Sequence, residues 1–432
     1  MTVPRTGVPD SPSASTALPP LLPLALVIGI SPLATDMYIP GLPALAADLR
    51  TSAAVAQLSL TAFLVSFAVG QLFIGPLSDA VGRRRLLLGG TAAFVVASVL
   101  CALAPTAPVL IAARLLQGLA GAAGAVSGRA MVTDVLTGVR RARVIAVLAS
   151  INAVGPAVAP LLGGVLLHVG TWRSTFWVLA GVGVVLLVTA VVSFRETLPP
   201  ARRSAGVGLA ANGRRMVALL ARPRFSLYLA MSCLSTIGFF AYIATSSFVF
   251  QEVYGYSVLR YTLVFATNAT CMIGTTLLFG RLVGRVSEDR LLSVGLLVGT
   301  AASGGVLVCA LASAPAAAVW ACLAVVTGAQ GLVITGSATR TQALGRATPG
   351  TAAALSGGLA FGVGGLGTPL AGVLGGTPAA MGAVMLVGLG LGAVLQTVVP
   401  RWLRPEPAVP EDETPGPEAP GRPAYDPHAV EG

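Results

Sequence analysis

Long apolar runs, each interrupted by a few polar or glycine-rich residues, recur along almost the whole chain. With about 20 residues needed to cross a bilayer, the pattern predicts twelve spans, at residues 21–44, 55–76, 86–104, 108–131, 142–168, 174–194, 225–247, 258–282, 290–312, 315–337, 350–374 and 378–399. The longest polar interruption, 195–224, contains seven arginines and separates the spans into two sets of six. The predicted fold is all-α and integral to the membrane, with six-helix bundles over 21–194 and 225–399 joined by a central loop at 195–224. Residues 1–20 are rich in Pro, Ser and Thr, and 400–432 in Pro and Glu, so both flanks are expected to be disordered. The first apolar run is too long for a signal-peptide core and is expected to remain as an uncleaved span.

Composition agrees with this reading. The chain is 55% hydrophobic and 10% charged, with a mean hydropathy of +0.84, far from the values of a soluble domain. A net charge of +11 invites the idea of nucleic acid, but the 27 basic residues, all arginine, form short clusters between apolar runs and build no basic groove. They act as topology signals. Arg83, Arg84 and Arg85, Arg140, Arg141 and Arg143, the central-loop arginines, Arg281, Arg285 and Arg290, Arg340 and Arg346, and Arg401 and Arg404 fall on one side, against Arg50, Arg173 and Arg260 on the other. Both termini are therefore expected in the cytoplasm, with the protein in the cytoplasmic membrane. Cys101, Cys233, Cys271, Cys309 and Cys322 lie inside apolar runs without paired spacing, and His168 and His428 are the only histidines. Neither a disulfide framework, a metal site nor a cofactor is expected.

Against this apolar background Asp36 stands out as the carboxylate deep inside a span, within LLPLALVIGISPLATDMYIPGLPA. An ionisable group at the centre of a membrane helix costs roughly 3 kcal/mol to insert, so it is retained where it faces a cavity, a partner or a proton path. Arg114 makes the same demand with opposite sign, in a fourth span otherwise built of small and apolar residues.

Three motifs accompany these charges. Gly75-Pro-Leu-Ser-Asp79-Ala-Val-Gly82-Arg83-Arg-Arg85 lies between the second and third spans, where glycine-bounded turns are expected to let the helices approach. Leu110-Ile-Ala-Ala-Arg114-Leu-Leu-Gln117-Gly118 lies in the fourth. Asn152-Ala-Val-Gly155-Pro156-Ala-Val-Ala-Pro160-Leu-Leu-Gly163-Gly164 lies in the fifth, its prolines expected to kink the helix and its glycines to offer a smooth packing surface. These stretches resemble the signatures of the major facilitator superfamily, with Ala80 standing where a basic residue is usual and with six residues between the two pairs of the fifth-span motif. Ala34–Pro40, Arg129–Asp134, Trp172-Arg173, Glu196–Pro199 and Ala241-Tyr242 narrow the likeness to the bicyclomycin- and chloramphenicol-resistance (Bcr/CflA) group of drug:proton antiporters, over roughly residues 21–399. In the second half the loop at Gly280–Arg285 only faintly echoes the 75–85 motif and lacks its Asp.

The resemblance implies a monomeric secondary transporter, not an enzyme, that moves small, largely apolar drugs such as phenicols or bicyclomycin-like antibiotics out of the cell in exchange for protons. It implies that Asp36 and Arg114 share a central cavity, with Tyr38, Asn152 and Tyr242 as hydrogen-bonding groups and Phe239 on an apolar wall. It makes Gly75, Asp79, Gly82, Arg83 and Asp134 a gating motif, and Gly155, Pro156, Gly163 and Gly164 an antiporter motif. Burial and a neighbouring cation act in opposite senses on a carboxylate, which would leave Asp36 poised to exchange a proton. An uptake symporter of the same fold remains open. A membrane enzyme would need paired acids at a membrane edge, and no D-x-x-D occurs at one; a receptor would need a larger soluble domain.

Overall fold

The computed structural model describes residues 21–136, 138–199, 203 and 208–398; the flanks expected to be disordered lie outside the described residues. The first six spans are α1 (Leu21–Asp36) continued by α2 (Leu42–Asp48), then α3 (Ala53–Val81), α4 (Arg83–Leu103), α5 (Ala107–Val135), α6 (Gly138–Val169) and α7 (Trp172–Ser193). After α8 (Gly208–Leu220) come α9 (Pro223–Phe248), α10 (Val258–Leu282), α11 (Glu288–Leu311), α12 (Ala316–Leu344), α13 (Pro349–Gly365) continued by α14 (Thr368–Val373), and α15 (Pro378–Val398). Among the described residues, 11 helical segments are long and apolar enough to cross a membrane. The 32-residue α6 occupies the place of the remaining predicted span.

The first span is broken where its charge lies. α1 stops at Asp36, and a 3₁₀ turn at Ile39–Gly41 leads into α2. Pro40 and Pro43 each stand in the first turn of the new element, where a missing N–H costs nothing. Across the molecule α9 ends in a π-helical turn at Val249–Val253, and Gln251 Nε2 donates to Pro40 O at 2.9 Å. A side chain of the π-turn therefore satisfies a carbonyl of the α1 break.

Each bundle packs mainly on itself: α3 and α4 against α5, and α4 against α7, in the first half; α11 against α12 and α15, and α10 against α12, in the second. Gly118 and Gly331 show the internal symmetry of this packing. A Cβ on Gly118 would stand 2.3 Å from Phe63 O of α3, and one on Gly331 2.5 Å from Met272 O of α10. In both halves a glycine lets two helix backbones touch. The halves meet along α3 with α13 and along α6 with α10.

The stretch expected as a central loop contains α8, which lies across the arginine-rich end. Met216 and Leu219 join an apolar cluster with Phe225 and Leu355, and Asn212 Nδ2 donates to Leu72 O at 3.2 Å. Its arginines hid an amphipathic helix whose apolar side appears as Met216 and Leu219 at a spacing of three.

Candidate functional site

Between the halves lies a cavity of about 320 Å³. Asp36, 6% exposed, stands at one end of it and Arg129 at the other. The lining between them is mostly apolar and includes aromatic rings, with Phe63 and Phe67 from α3, Phe239 and Tyr242 from α9, Phe265 from α10 and Phe361 from α13. Tyr242 stacks on Phe265 with centroids 6.1 Å apart, and its hydroxyl accepts from Asn268 Nδ2 at 2.9 Å.

Beyond Asp36, towards the end away from the arginine clusters, the halves are sealed. Gln57 Nε2 donates to Ala244 O and to Thr245 Oγ1, both at 3.2 Å. The hydroxyls of Thr61 and Thr368 are hydrogen-bonded, and Thr368 Oγ1 also donates to Gln57 O at 3.4 Å. At the arginine-rich end the ion pairs of Arg83 and Arg340 stay within their own halves, and Arg129 itself is exposed. The cavity thus opens towards the arginine-rich end.

Asp36 makes no ion pair with any described residue. The Arg114 guanidinium acts on it electrostatically but does not reach it. The expected sharing of one cavity by Asp36, Arg114 and Tyr38 is corrected here: Arg114 is 0% exposed and sits behind the wall. Its Nη1 donates to Ala34 O at 3.0 Å and to Gln117 Oε1 at 2.6 Å, and its Nε to Ser59 O at 3.3 Å. The guanidinium carbon lies 4.6 Å from the Tyr38 ring centroid and 4.4 Å from that of Phe63. Carbonyls and aromatic faces hold this cation, and it caps the last turn of α1, where free carbonyls concentrate negative potential. Tyr38 is consumed in the same cluster, bonded to Ser59 Oγ at 3.2 Å. Asn152 lies in α6, but its side chain is outside what the structure describes.

The fifth-span glycines brace the broken helix. A Cβ on Gly155 would meet Pro32 at 2.8 Å, and one on Gly163 would stand 1.8 Å from Met37 O, in the break itself. A Cβ on Gly164 would meet Thr262 of α10 at 2.5 Å, while Pro156 faces the cavity. One stretch of α6 therefore touches both the Asp36 break and the opposite half.

In the loop motif, Gly82 turns the chain from α3 to α4 at φ +109°, and a Cβ there would lie 2.6 Å from Glu196 Oε2. Arg83 pairs with Asp79 at 2.5 Å and with Asp134 at 3.1 Å, and its Nη1 donates to Ser78 Oγ at 2.8 Å. Its backbone N–H donates to Glu196 Oε1 at 3.0 Å, and Thr197 Oγ1 donates to Asp134 at 3.0 Å. Gly75, expected at a turn, is inside α3 and a Cβ there would meet nothing within 4 Å. The second half holds a counterpart of reversed polarity: Arg340 pairs with Asp289 at 2.9 Å and Tyr228 donates to Asp289 at 2.7 Å. Its acid sits at the start of α11, beyond the loop where the motif places one.

Residues 24–369 match the sequence profile of the Major Facilitator Superfamily. The chain belongs to that superfamily. It is 35% identical over 384 residues to the uncharacterised MFS-type transporter YdgK of Bacillus subtilis, covering 86% of this chain and 94% of the relative. It is 32% identical over 245 residues to the multidrug resistance protein MdtL of Escherichia coli, covering 57% of this chain and 61% of that protein. Among solved structures, a bacterial homologue of the human lysosomal transporter Spinster superposes with a TM-score of 0.68 at 16% identity, covering 90% of this chain and 98% of that one. A variant of the nucleoside transporter NupG gives 0.68 at 12% identity, over 89% and 100%. The fold is that of a multi-pass membrane transporter, not an enzyme, acting on small molecules.

In the sequence Arg129, Glu196 and Thr197 stand only within strings that carry the family resemblance, and Gln57 and Thr368 carry no motif. Arg129 does carry a sequence signal, as a second cation inside the predicted fourth span.

Proposed function

We propose that this transporter exports small, largely apolar drugs from the cell in exchange for protons, by alternating access, as a monomer of the Bcr/CflA kind in the cytoplasmic membrane. The observation that carries the reading is Asp36: a carboxylate without an ion-pair partner at a helix break, inside an aromatic cavity. A carboxylate placed there changes its charge at low cost when substrate or a proton arrives, whereas one locked to an arginine would not. With the arginine-rich end in the cytoplasm, the cavity is open inward, ready to receive a drug. The aromatic wall supplies apolar contact, and Tyr242 with Asn268 supplies polar contact. Drug binding would favour loss of the Asp36 proton to the cytoplasm, and protonation from outside would favour drug release. Each proton entering down the membrane potential contributes about 2.3 kcal/mol per 100 mV. Similarity to a protein named for multidrug resistance supports export over uptake.

The test is drug-driven proton release in energised everted vesicles, with chloramphenicol as substrate. Wild-type protein should accumulate drug inside the vesicles and dissipate the pH gradient. Asp36→Asn at equal membrane level should do neither. Accumulation by Asp36→Asn at the wild-type rate would refute the assignment, and net movement in the opposite direction would favour a symporter.

A further inference from the structure

Arg129 is the cation of the cavity wall, and no described residue pairs with it. It stands on α5 and makes no hydrogen bond or ion pair with any described residue. The nearest acid along the helix, Asp134, is five residues on, about 140° around it, and is already held by Arg83 and Thr197. Asp36 is no partner either. Gly128 packs against Ile28, so Arg129 lies beside the Ile28 level of α1, eight residues from Asp36 along a helix, or about 12 Å. The other arginine near this wall, Arg114, is spent on carbonyls and rings. Among the described lining residues the charges are therefore one acid at the closed end and one free guanidinium at the mouth, with aromatic surface between.

A free guanidinium at the mouth of an apolar cavity attracts anions and repels cations, and a carboxylate is the planar, bidentate group it matches best. We infer that Arg129 is a substrate-binding group, and that the cavity takes amphipathic organic acids: an aromatic body against the Phe and Tyr wall, with its carboxylate on Arg129. This deepens the export reading by naming a substrate class, and rests on it for the cavity being the transport site. It also divides the work of the two charges, Arg129 recognising the substrate at the entrance and Asp36 responding at the closed end.

The test compares dansylglycine with dansylglycinamide, the same fluorophore with and without the carboxylate charge, by fluorescence titration of the full-length protein in nanodiscs, with empty nanodiscs subtracted. Wild-type protein should bind dansylglycine at least about tenfold more tightly than the amide, the range of a charge-assisted bidentate contact. Arg129→Gln should bring the acid down to the level of the amide while leaving amide affinity unchanged, which also shows that the variant is folded. Arg129→Lys should retain part of the preference. Equal affinity of the two probes for wild-type protein, or equal losses of both in Arg129→Gln, would overturn the inference. Binding is measured without a proton gradient, so failure of the antiport reading leaves this result unaffected, and failure here leaves the Asp36 experiment standing.

Discussion

Gly372→Ala should push the protein out of the conformation described above. Gly372 belongs to α14, and a Cβ there would lie 2.3 Å from Gln57 Oε1, 2.9 Å from Ala54 Cα and 3.1 Å from Ala54 N, all across the interface between the halves. The backbone atoms cannot give way without moving α3. Gln57 can give way only by surrendering its bonds to Ala244 and Thr245. Overpacking of this kind costs about 1–3 kcal/mol, and only while the outer end is closed. The helix-propensity gain of alanine over glycine, about 1 kcal/mol, applies equally to both conformations and cancels. The ratio of outward-open to outward-closed protein should therefore rise roughly 5- to 150-fold. Spin labels at Thr106 and Ser313, exposed positions on loops at the outer end of opposite halves, would report this as a longer-distance population in pulsed electron–electron resonance. Gly181→Ala is the control, because a Cβ there meets nothing within 4 Å. If Gly372→Ala gives the same distance distribution as Gly181→Ala, the contacts between α14 and α3 do not hold the outer end closed.

Gly163→Ala places a Cβ against Met37 O in the α1 break, and should lower the melting temperature and abolish export of chloramphenicol in vesicles; normal export would show that α6 does not brace the break. Arg114→Gln strips donors from Ala34 O and Ser59 O, and should destabilise the fold by about 2–4 kcal/mol, seen as a lower midpoint in fluorescence-detected size-exclusion melting. A variant as stable as wild type would contradict the structural role assigned to this cation. Arg83→Gln removes both of its ion pairs and should slow transport while leaving dansylglycine affinity unchanged. A matching fall in affinity would place Arg83 in substrate binding.

Twelve apolar runs and a division into two sets of six were legible because burying backbone in lipid forces every spanning segment into a long apolar helix. Asp36 was legible for the same reason, since a carboxylate in that setting is rare and costly. The partnership of Asp36 with Arg114 was not. Both charges are buried, as their place in apolar runs implies, but sequence spacing does not say which side of a helix faces the cavity and which faces a neighbouring helix. Arg114 turned out to face carbonyls and rings, and Arg129, fifteen residues on, to face the cavity. Gln57, Thr61 and Thr368, which seal one end, carry no local signal, because a buried polar group in a membrane helix shows its purpose only when its partner is known.

By itself the sequence determined that this chain crosses the membrane, with which residues, and that it carries one costly acid, because hydrophobic burial depends on composition and period alone. Only the tertiary structure decided that the acid stands unpaired at a helix break, which arginine is spent and which is free, and which end of the cavity is closed. Those are properties of contacts between helices far apart in the chain, and distance in space is what local pattern does not record.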